Sequence, residues 1–384
     1  MLTNQAHLFS LPEGMHYLNC AYMSPLMKSV EAAGIEGVRA KSVPARITSG
    51  DFFAPGESLR LRMGQLVNAE PDRVALIPAV SYGVAIITNN VRLRQGQNVV
   101  TPGEEFPSNI YGWQERCRQD GGELRIVPRP HDTQHPGQRW NDAVVDAIDS
   151  NTAVVSLTAV HWTDGTWFDL ERIGARARQV GAAFIVDGTQ SVGAYPFDFK
   201  AVQPDALICA GYKWLLGPYS LGFIVVGDRF MEGTPIEMNW INREGSEDFS
   251  QLINYRDGYQ PGARRYDVGE RSNPIQIPML DAALRQILDW GVTNIQGYCA
   301  GLEAHLGEAL AGTDFLLAPQ AERTSHLFGI RLPDPHGLPR VLQALQEREI
   351  YVSLRGTSVR VSPNVYNTPE DMHALVEALK AAHA

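Results

Sequence analysis

Phe184-Ile185-Val186-Asp187-Gly188-Thr189-Gln190 reads as a buried apolar strand ending in a carboxylate and a glycine. In an open parallel sheet, ligands bind beyond the carboxyl ends of the strands, so Asp187 points into the expected crevice. A second run, Ala206-Leu207-Ile208-Cys209-Ala210, leads into Gly211-Tyr212-Lys213-Trp214 and brings Lys213 to the same edge, 26 positions after Asp187. Around this pair, apolar β-rich runs recur at 74–78, 98–101, 123–127, 153–157, 182–187, 206–210 and 222–226. Helical periodicity fills the gaps at 82–91, 110–120, 140–148 and 170–180. Strand and helix alternating in this way predict an α/β domain with a mostly parallel seven-stranded sheet covered on both faces.

Beyond this domain the pattern changes. A polar, Gly- and Arg-rich stretch at 233–272 reads as loops near a site or an interface. Helices are expected at 277–290, 292–310, 338–348 and 369–382, with strands at 326–331, 351–354 and 358–362, which together make a smaller α+β unit. The expected division is an N-terminal segment, 1–20, packing on the small unit; a large domain, 21–260; and a small C-terminal domain, 261–384.

The chain has 384 residues, enough for about two or three structural units. With 44% hydrophobic and 20% charged residues it has ordinary globular usage, which argues against disorder. A net charge of -10 disfavours nucleic acid or an anionic membrane surface as the main partner. The four cysteines lie far apart with no CxxC pair, so neither a metal site nor a disulfide framework is expected. No signal-peptide pattern and no long apolar run is present, and a cytoplasmic location is the expectation.

A carboxylate and a lysine at neighbouring strand ends suit pyridoxal 5′-phosphate, whose aldehyde needs an amine and whose ring nitrogen needs an anion. The same spacing also fits a strand-end Asp that caps a turn and a Lys that reaches solvent. Pro78-Ala79-Val80-Ser81-Tyr82-Gly83 joins a strand to a helix start, where the backbone N–H groups of Val80 and Ser81 and the Ser81 hydroxyl can hold a phosphate. A plain serine cap fits that stretch equally. The GxGxxG and GxxxxGK[ST] patterns are absent, which disfavours a dinucleotide or a nucleoside triphosphate.

The block VDGTQSVGAYPFDFKAVQPDALICAGYKWLLGPYSLGFIVV (186–226) resembles the cofactor core of the class V aminotransferases, pyridoxal phosphate enzymes of fold type I. YLNCAYMSPL (17–26), EEFPSNIYGWQ (104–114), GERSNP (269–274) and VRVSPNVYNTPEDM (359–372) are similar to that family too, so the likeness extends over most of the chain. The resemblance implies a Schiff base on Lys213, which also carries the Cα proton, and pairing of Asp187 with the pyridinium. It gives Gln190 the ring's phenolic oxygen, Ser81 and Tyr212 the phosphate, and Phe106 the face of the ring. Ser272 or Asn273 would reach a neighbouring subunit's cofactor, which implies a homodimer with shared sites. Arg360 matches the arginine that grips the substrate's α-carboxylate. Arg355 lies on the preceding loop and Asn109 in the Phe106 motif; both join the expected substrate contacts. His161 and Asp164, after the 153–157 strand, are candidates for the substrate and the ring oxygen, with a structural loop histidine as the other reading.

Several reactions are open to this scaffold. Family desulfurases carry a nucleophilic cysteine on the loop before the carboxylate-binding arginine, and 351–362 contains none. The expectation is an aminotransferase acting on an amino acid. The alternatives are a kynureninase-like hydrolase, a C–S lyase without persulfide chemistry, an epimerase, and a cofactor-binding protein without activity. For the hydrolase, VDGTQ departs from the kynureninase pattern, in which His stands for Gln190.

Overall fold

Strands built from Val, Ile, Leu and Ala that are buried on both faces need helices above and below them. The computed structural model, which describes residues 2–130, 134–356 and 358–383, meets that need around one large sheet. In chain order the strands are β1 (His16–Tyr17), β2 (Val74–Ile77), β3 (Asn98–Pro102), β4 (Glu123–Val127), β5 (Thr152–Thr158), β6 (Ala183–Asp187), β7 (Ala206–Ala210) and β8 (Gly222–Val226). They are followed by β9 (Leu316–Leu317), β10 (Phe328–Arg331), β11 (Ile350–Tyr351), β12 (Ser353–Arg355) and β13 (Ser358–Val361). The large sheet has seven strands in the order β2-β8-β7-β6-β5-β3-β4. β8 runs antiparallel to both of its neighbours, β2 and β7, and the remaining pairs are parallel. The fold is the expected fold type I α/β architecture, with strand ends within a residue or two of the sequence reading. Register aligns Thr158 with Asp187 and Asp187 with Ile208, so β5, β6 and β7 end side by side and deliver their following residues to one crevice.

Three α-helices among the described residues went unread in the sequence, Lys28–Lys41, Ala54–Val67 and the short Phe199–Val202. The first carries Gly34 and Gly37, which lower helix propensity and mask its signal. Those glycines serve packing: a Cβ on Gly37 would lie 2.2 Å from the Pro274 carbonyl oxygen, so only glycine lets this helix lie against the chain entering helix Gln276–Trp290.

That contact moves a boundary. Helix Gln276–Trp290 buries Ile277, Leu280, Leu284 and Ile287 in the large core, although 261–290 was read with the small domain. Helix Val292–Leu310 crosses between the cores, with Ile295 in the large one and Leu302 and Leu306 in the small one. The small core also takes Leu18, and β1 pairs in parallel with β11. The expected 351–354 strand is divided: β11 pairs with β1, while β12 pairs with β13 in the antiparallel sheet β12-β13-β10-β9. Among the described residues no helix is long and apolar enough to cross a membrane.

Candidate active site

At the carboxyl ends of the central strands lies a cavity of about 290 Å³ whose walls include Ser81, Phe106, Trp162, Asp187, Tyr212 and Lys213. Strand β7 ends at Ala210, and the turn that follows swings Lys213 inward, where it is only 7% exposed. Among the described residues its Nζ makes no hydrogen bond or ion pair. It sits instead 5.6 Å and 5.5 Å from the ring centres of Phe106 and Tyr212. Burial pushes the Lys213 amine down to about 8; Arg360 and Arg355 push the same way and Asp187 opposes them. The result is a desolvated, nucleophilic amine with no anion bound to it.

Asp187 is held from two sides. Its Oδ1 accepts from the Thr189 N–H at 2.8 Å and its Oδ2 from Asn109 Nδ2 at 2.7 Å. Asn109 is therefore committed to the carboxylate rather than to the cavity wall, where Ser108 stands instead. Beside them is a carboxyl that sequence reasoning passed over, Glu105, 6% exposed and also lining the cavity. Its Oε1 accepts from the Phe106 N–H at 2.8 Å and its Oε2 from the Thr158 N–H at 2.8 Å. Its only local signal was its place next to Phe106, because burial beside Asp187 depends on β3 lying next to β5 and β5 next to β6.

Helix Val80–Asn90 starts at the cavity. The Tyr82 and Gly83 N–H groups both turn back to the Ala79 carbonyl, at 3.1 Å and 3.3 Å. The Val80 and Ser81 N–H groups have no protein acceptor among the described residues, which makes this end of the helix a cradle for an anion. Tyr212 stands across from it, its ring 4.6 Å from that of Tyr219.

Gln190 also lines the cavity, but both ends of its amide are in use: Oε1 accepts from Trp214 Nε1 at 2.9 Å and Nε2 donates to the Ala21 carbonyl at 3.2 Å. His161 and Asp164 are not brought to the cavity. Arg129 ion-pairs with Asp164 and lies 3.0 Å from His161 Nδ1, while His161 Nε2 meets the Gly103 carbonyl at 3.3 Å. Burial, reinforced by Arg129, depresses His161 to about 4. The residue between them, Trp162, enters the cavity in their place. Its indole N–H donates to the Glu104 carbonyl at 2.7 Å and its ring meets Phe106 edge-on at 5.5 Å.

Arg360, on β13, is 1% exposed; its Nη1 donates to the Trp162 carbonyl at 2.9 Å and its Nη2 to Ser353 Oγ at 3.2 Å. Arg355 lies over the Trp162 ring at 5.0 Å. Neither has an acidic partner among the described residues, and the Nε of each is buried without an acceptor. Burial, with Arg355 adding to it, lowers the Arg360 guanidinium to about 9. Two adjacent unpaired arginines beside a lysine call for an anionic ligand.

Ser272 and Asn273 do not reach this cavity within one chain. Ser272 Oγ donates to the Phe52 carbonyl at 2.6 Å, and Asn273 Oδ1 accepts from the N–H groups of Ile275 and Gln276 at 2.9 Å and 3.0 Å. Both line a separate, mainly apolar cavity of about 540 Å³. Where the family's persulfide cysteine is expected, β12 pairs with β13 with Arg355 opposite Ser358, and all four cysteines are free and buried. None of them lines the active cavity.

An amine without a partner, an anchored carboxylate, an anion cradle and an aromatic wall together fit pyridoxal 5′-phosphate. The class-V aminotransferase family model matches residues 48–375. A probable cysteine desulfurase of Methanothermobacter thermautotrophicus is 26% identical over 344 residues, covering 84% of this chain and 82% of the relative. An uncharacterised aminotransferase of Bacillus subtilis is 26% identical over 342 residues, 85% of this chain and 84% of its own length. Among solved structures, the cystine C–S lyase C-DES in complex with its reaction product cysteine persulfide superposes with a TM-score of 0.84 at 19% identity, over 96% of this chain and 97% of that one. The Escherichia coli cysteine desulfurase CsdA reaches 0.81 at 19% identity, over 98% and 97%. The chain thus belongs to the class-V aminotransferase family, and pyridoxal 5′-phosphate is its cofactor.

Proposed function

We propose that this protein is a C–S lyase that eliminates sulfur from Cβ of an amino acid without forming a persulfide on the enzyme. One observation carries the reading: relatives named as desulfurases act where a C–S bond breaks, yet here the hairpin Ser353–Val361 has no cysteine and no thiol lines the cavity. When bound, pyridoxal phosphate supplies an electron sink for the carbanion formed at the substrate's Cα. Arg360, with Arg355 beside it, binds the α-carboxylate. Asp187 would keep the ring nitrogen protonated, Phe106 would cover one ring face, and the N–H groups of Val80 and Ser81 would hold the phosphate. Lys213 removes the Cα proton; the electron pair left behind forms a Cα=Cβ bond as the Cβ–S bond breaks, and sulfur departs with the bonding pair as thiolate. The carbon fragment is hydrolysed to a 2-keto acid and ammonia.

Transamination is the second reading, favoured by the lone amine of Lys213: one base that takes a proton from Cα and returns it to the cofactor is all that it requires. The test incubates the protein with cysteine, cystine and cysteine S-conjugates. Thiol or sulfide released one-to-one with ammonia supports elimination. Transfer of the amino group to an added keto acid without ammonia establishes transamination instead, and anthranilate from kynurenine the hydrolase. We further read the protein as a cytoplasmic homodimer with shared sites. Support comes from apolar side chains left exposed at Tyr22, Ile35, Val38 and Tyr255 and from the placement of Ser272 and Asn273 in the second cavity. Light scattering on the eluting protein gives its mass directly.

A further inference from the structure

Asn109 ties together two buried carboxyls. Its Nδ2 lies 2.7 Å from Asp187 Oδ2 and 3.5 Å from Glu105 Oε1, so one amide nitrogen faces both acids. Asp187 is 9% exposed and Glu105 6%, and both line the same cavity. Two full negative charges bridged by one amide in a poorly solvated site repel each other, and one of the groups gains by keeping its proton. We propose that Glu105 and Asp187 form a carboxyl pair sharing a single negative charge, in which Glu105 holds the proton and leaves Asp187 as the anion facing the ring nitrogen. Glu105 is in this sense a positioning residue: it acts on the cofactor only through Asn109 and Asp187.

The N–H groups of Phe106 and Thr158 and the Asn109 amide favour the ionised form of Glu105, and burial together with the Asp187 carboxylate outweighs them. From β5 Glu105 meets only the Thr158 N–H, from helix Pro107–Asp120 the neutral Asn109 amide, and from β6 the carboxylate of Asp187. Its neighbour Glu104 is engaged by Arg129, so that cation is occupied. Lys213, the other charged group on the cavity wall, acts directly on Asp187. Burial, with Asp187 adding to it, raises Glu105 from 4.5 to about 7. The pairing itself belongs to the polypeptide; only its consequence at the ring rests on the cofactor reading.

The sign of the effect follows from linkage. A carboxyl that ionises near 4.5 when unfolded and near 7 when folded makes the folded state lose stability as pH rises from 4.5 to 7, with no further loss above that. The full chain is prepared as holoprotein and resolved to apoprotein, and melting temperatures are taken from pH 5 to pH 8.5 for wild type and Glu105→Gln. An amide cannot accept from both the Phe106 and Thr158 N–H groups, so the variant starts lower at every pH, and the slope is the readout. The expected result is a wild-type melting temperature that falls by about 3 °C or more between pH 5 and pH 7.5 relative to Glu105→Gln. Asp187→Asn serves as the second variant: with its neighbour's charge gone, the wild-type fall moves to lower pH. Parallel curves for wild type and Glu105→Gln, or an unmoved transition in Asp187→Asn, overturn the pair. The holoprotein supplies an independent readout, in which the visible absorbance of wild type shows an inflection near pH 7 that Glu105→Gln lacks. An apoprotein slope as expected in a chain that takes up no cofactor sinks the pyridoxal phosphate reading and leaves the carboxyl pair standing.

Discussion

The Arg360 guanidinium donates through Nη1 to the backbone carbonyl of Trp162 at 2.9 Å, which fastens a strand of the small domain to the loop after β5 in the large one. The ring of the same tryptophan carries Arg355 at 5.0 Å and meets Phe106 at 5.5 Å. One residue thus joins Phe106 to both Arg360 and Arg355.

Replacing Trp162 by Ala removes a cation–π contact of roughly 1 kcal/mol and frees Arg355 to wander. KM for the amino acid is expected to rise about five- to tenfold while kcat changes little, as measured by steady-state kinetics. An unchanged KM would show that Arg355 does not hold substrate.

Arg360→Lys is a harsher change than its conserved charge suggests. A lysine cannot bond the Trp162 carbonyl and Ser353 Oγ while offering a planar pair of donors to a carboxylate. A rise in KM of roughly a hundredfold is expected, corresponding to about 3 kcal/mol for a lost charged hydrogen-bond pair. Arg355→Lys, which gives up only a hydrogen bond to the neighbouring Leu354 carbonyl and the contact with the Trp162 ring, costs less.

Asn109→Leu keeps volume but removes the 2.7 Å donor to Asp187 Oδ2. A hydrogen bond to a charged group is worth about 1.5–3 kcal/mol, so the apoprotein is expected to bind pyridoxal phosphate roughly ten- to a hundredfold more weakly in a fluorescence titration.

Because burial pushes Lys213 down to about 8, its free-amine fraction in the apoprotein grows through that pH, well below the 10.5 of an ordinary lysine. Labelling of Lys213 by trinitrobenzenesulfonate, followed by peptide mass spectrometry, should reach half its limiting rate near pH 8. Surface lysines such as Lys41 serve as the internal control.

Thiol chemistry is expected to be dispensable. Burial raises Cys20 to about 12 and lifts Cys209 as well, so neither is a thiolate at neutral pH. Turnover of Cys20→Ser and Cys209→Ser should stay within about twofold of wild type, and alkylation of the native protein should not abolish it. Loss of sulfur release in Cys20→Ser would restore a persulfide route.

The large sheet was legible because most of its strands announce themselves locally, as short runs rich in apolar residues closed by a turn, and seven such runs alternating with helical periodicity admit few arrangements. Asp187 and Lys213 were legible for the same reason, since a residue just past a strand end lies at the sheet edge whatever its neighbours are. The helix Lys28–Lys41 escaped because its glycines are explained only by the Pro274 backbone lying against them.

The amino-acid sequence by itself determined the class of fold, the sheet edge at which the cavity opens, and the lysine and carboxylate that line it, since these follow from periodicities a few residues long. Tertiary structure alone decided which side chains complete the site. It turned Trp162 inward and His161 and Asp164 toward Arg129, and gave Asn109 to Asp187. Burial and hydrogen-bond partners come from segments tens or hundreds of residues apart, and no local period records which of two adjacent side chains will find an unpaired charge waiting for it.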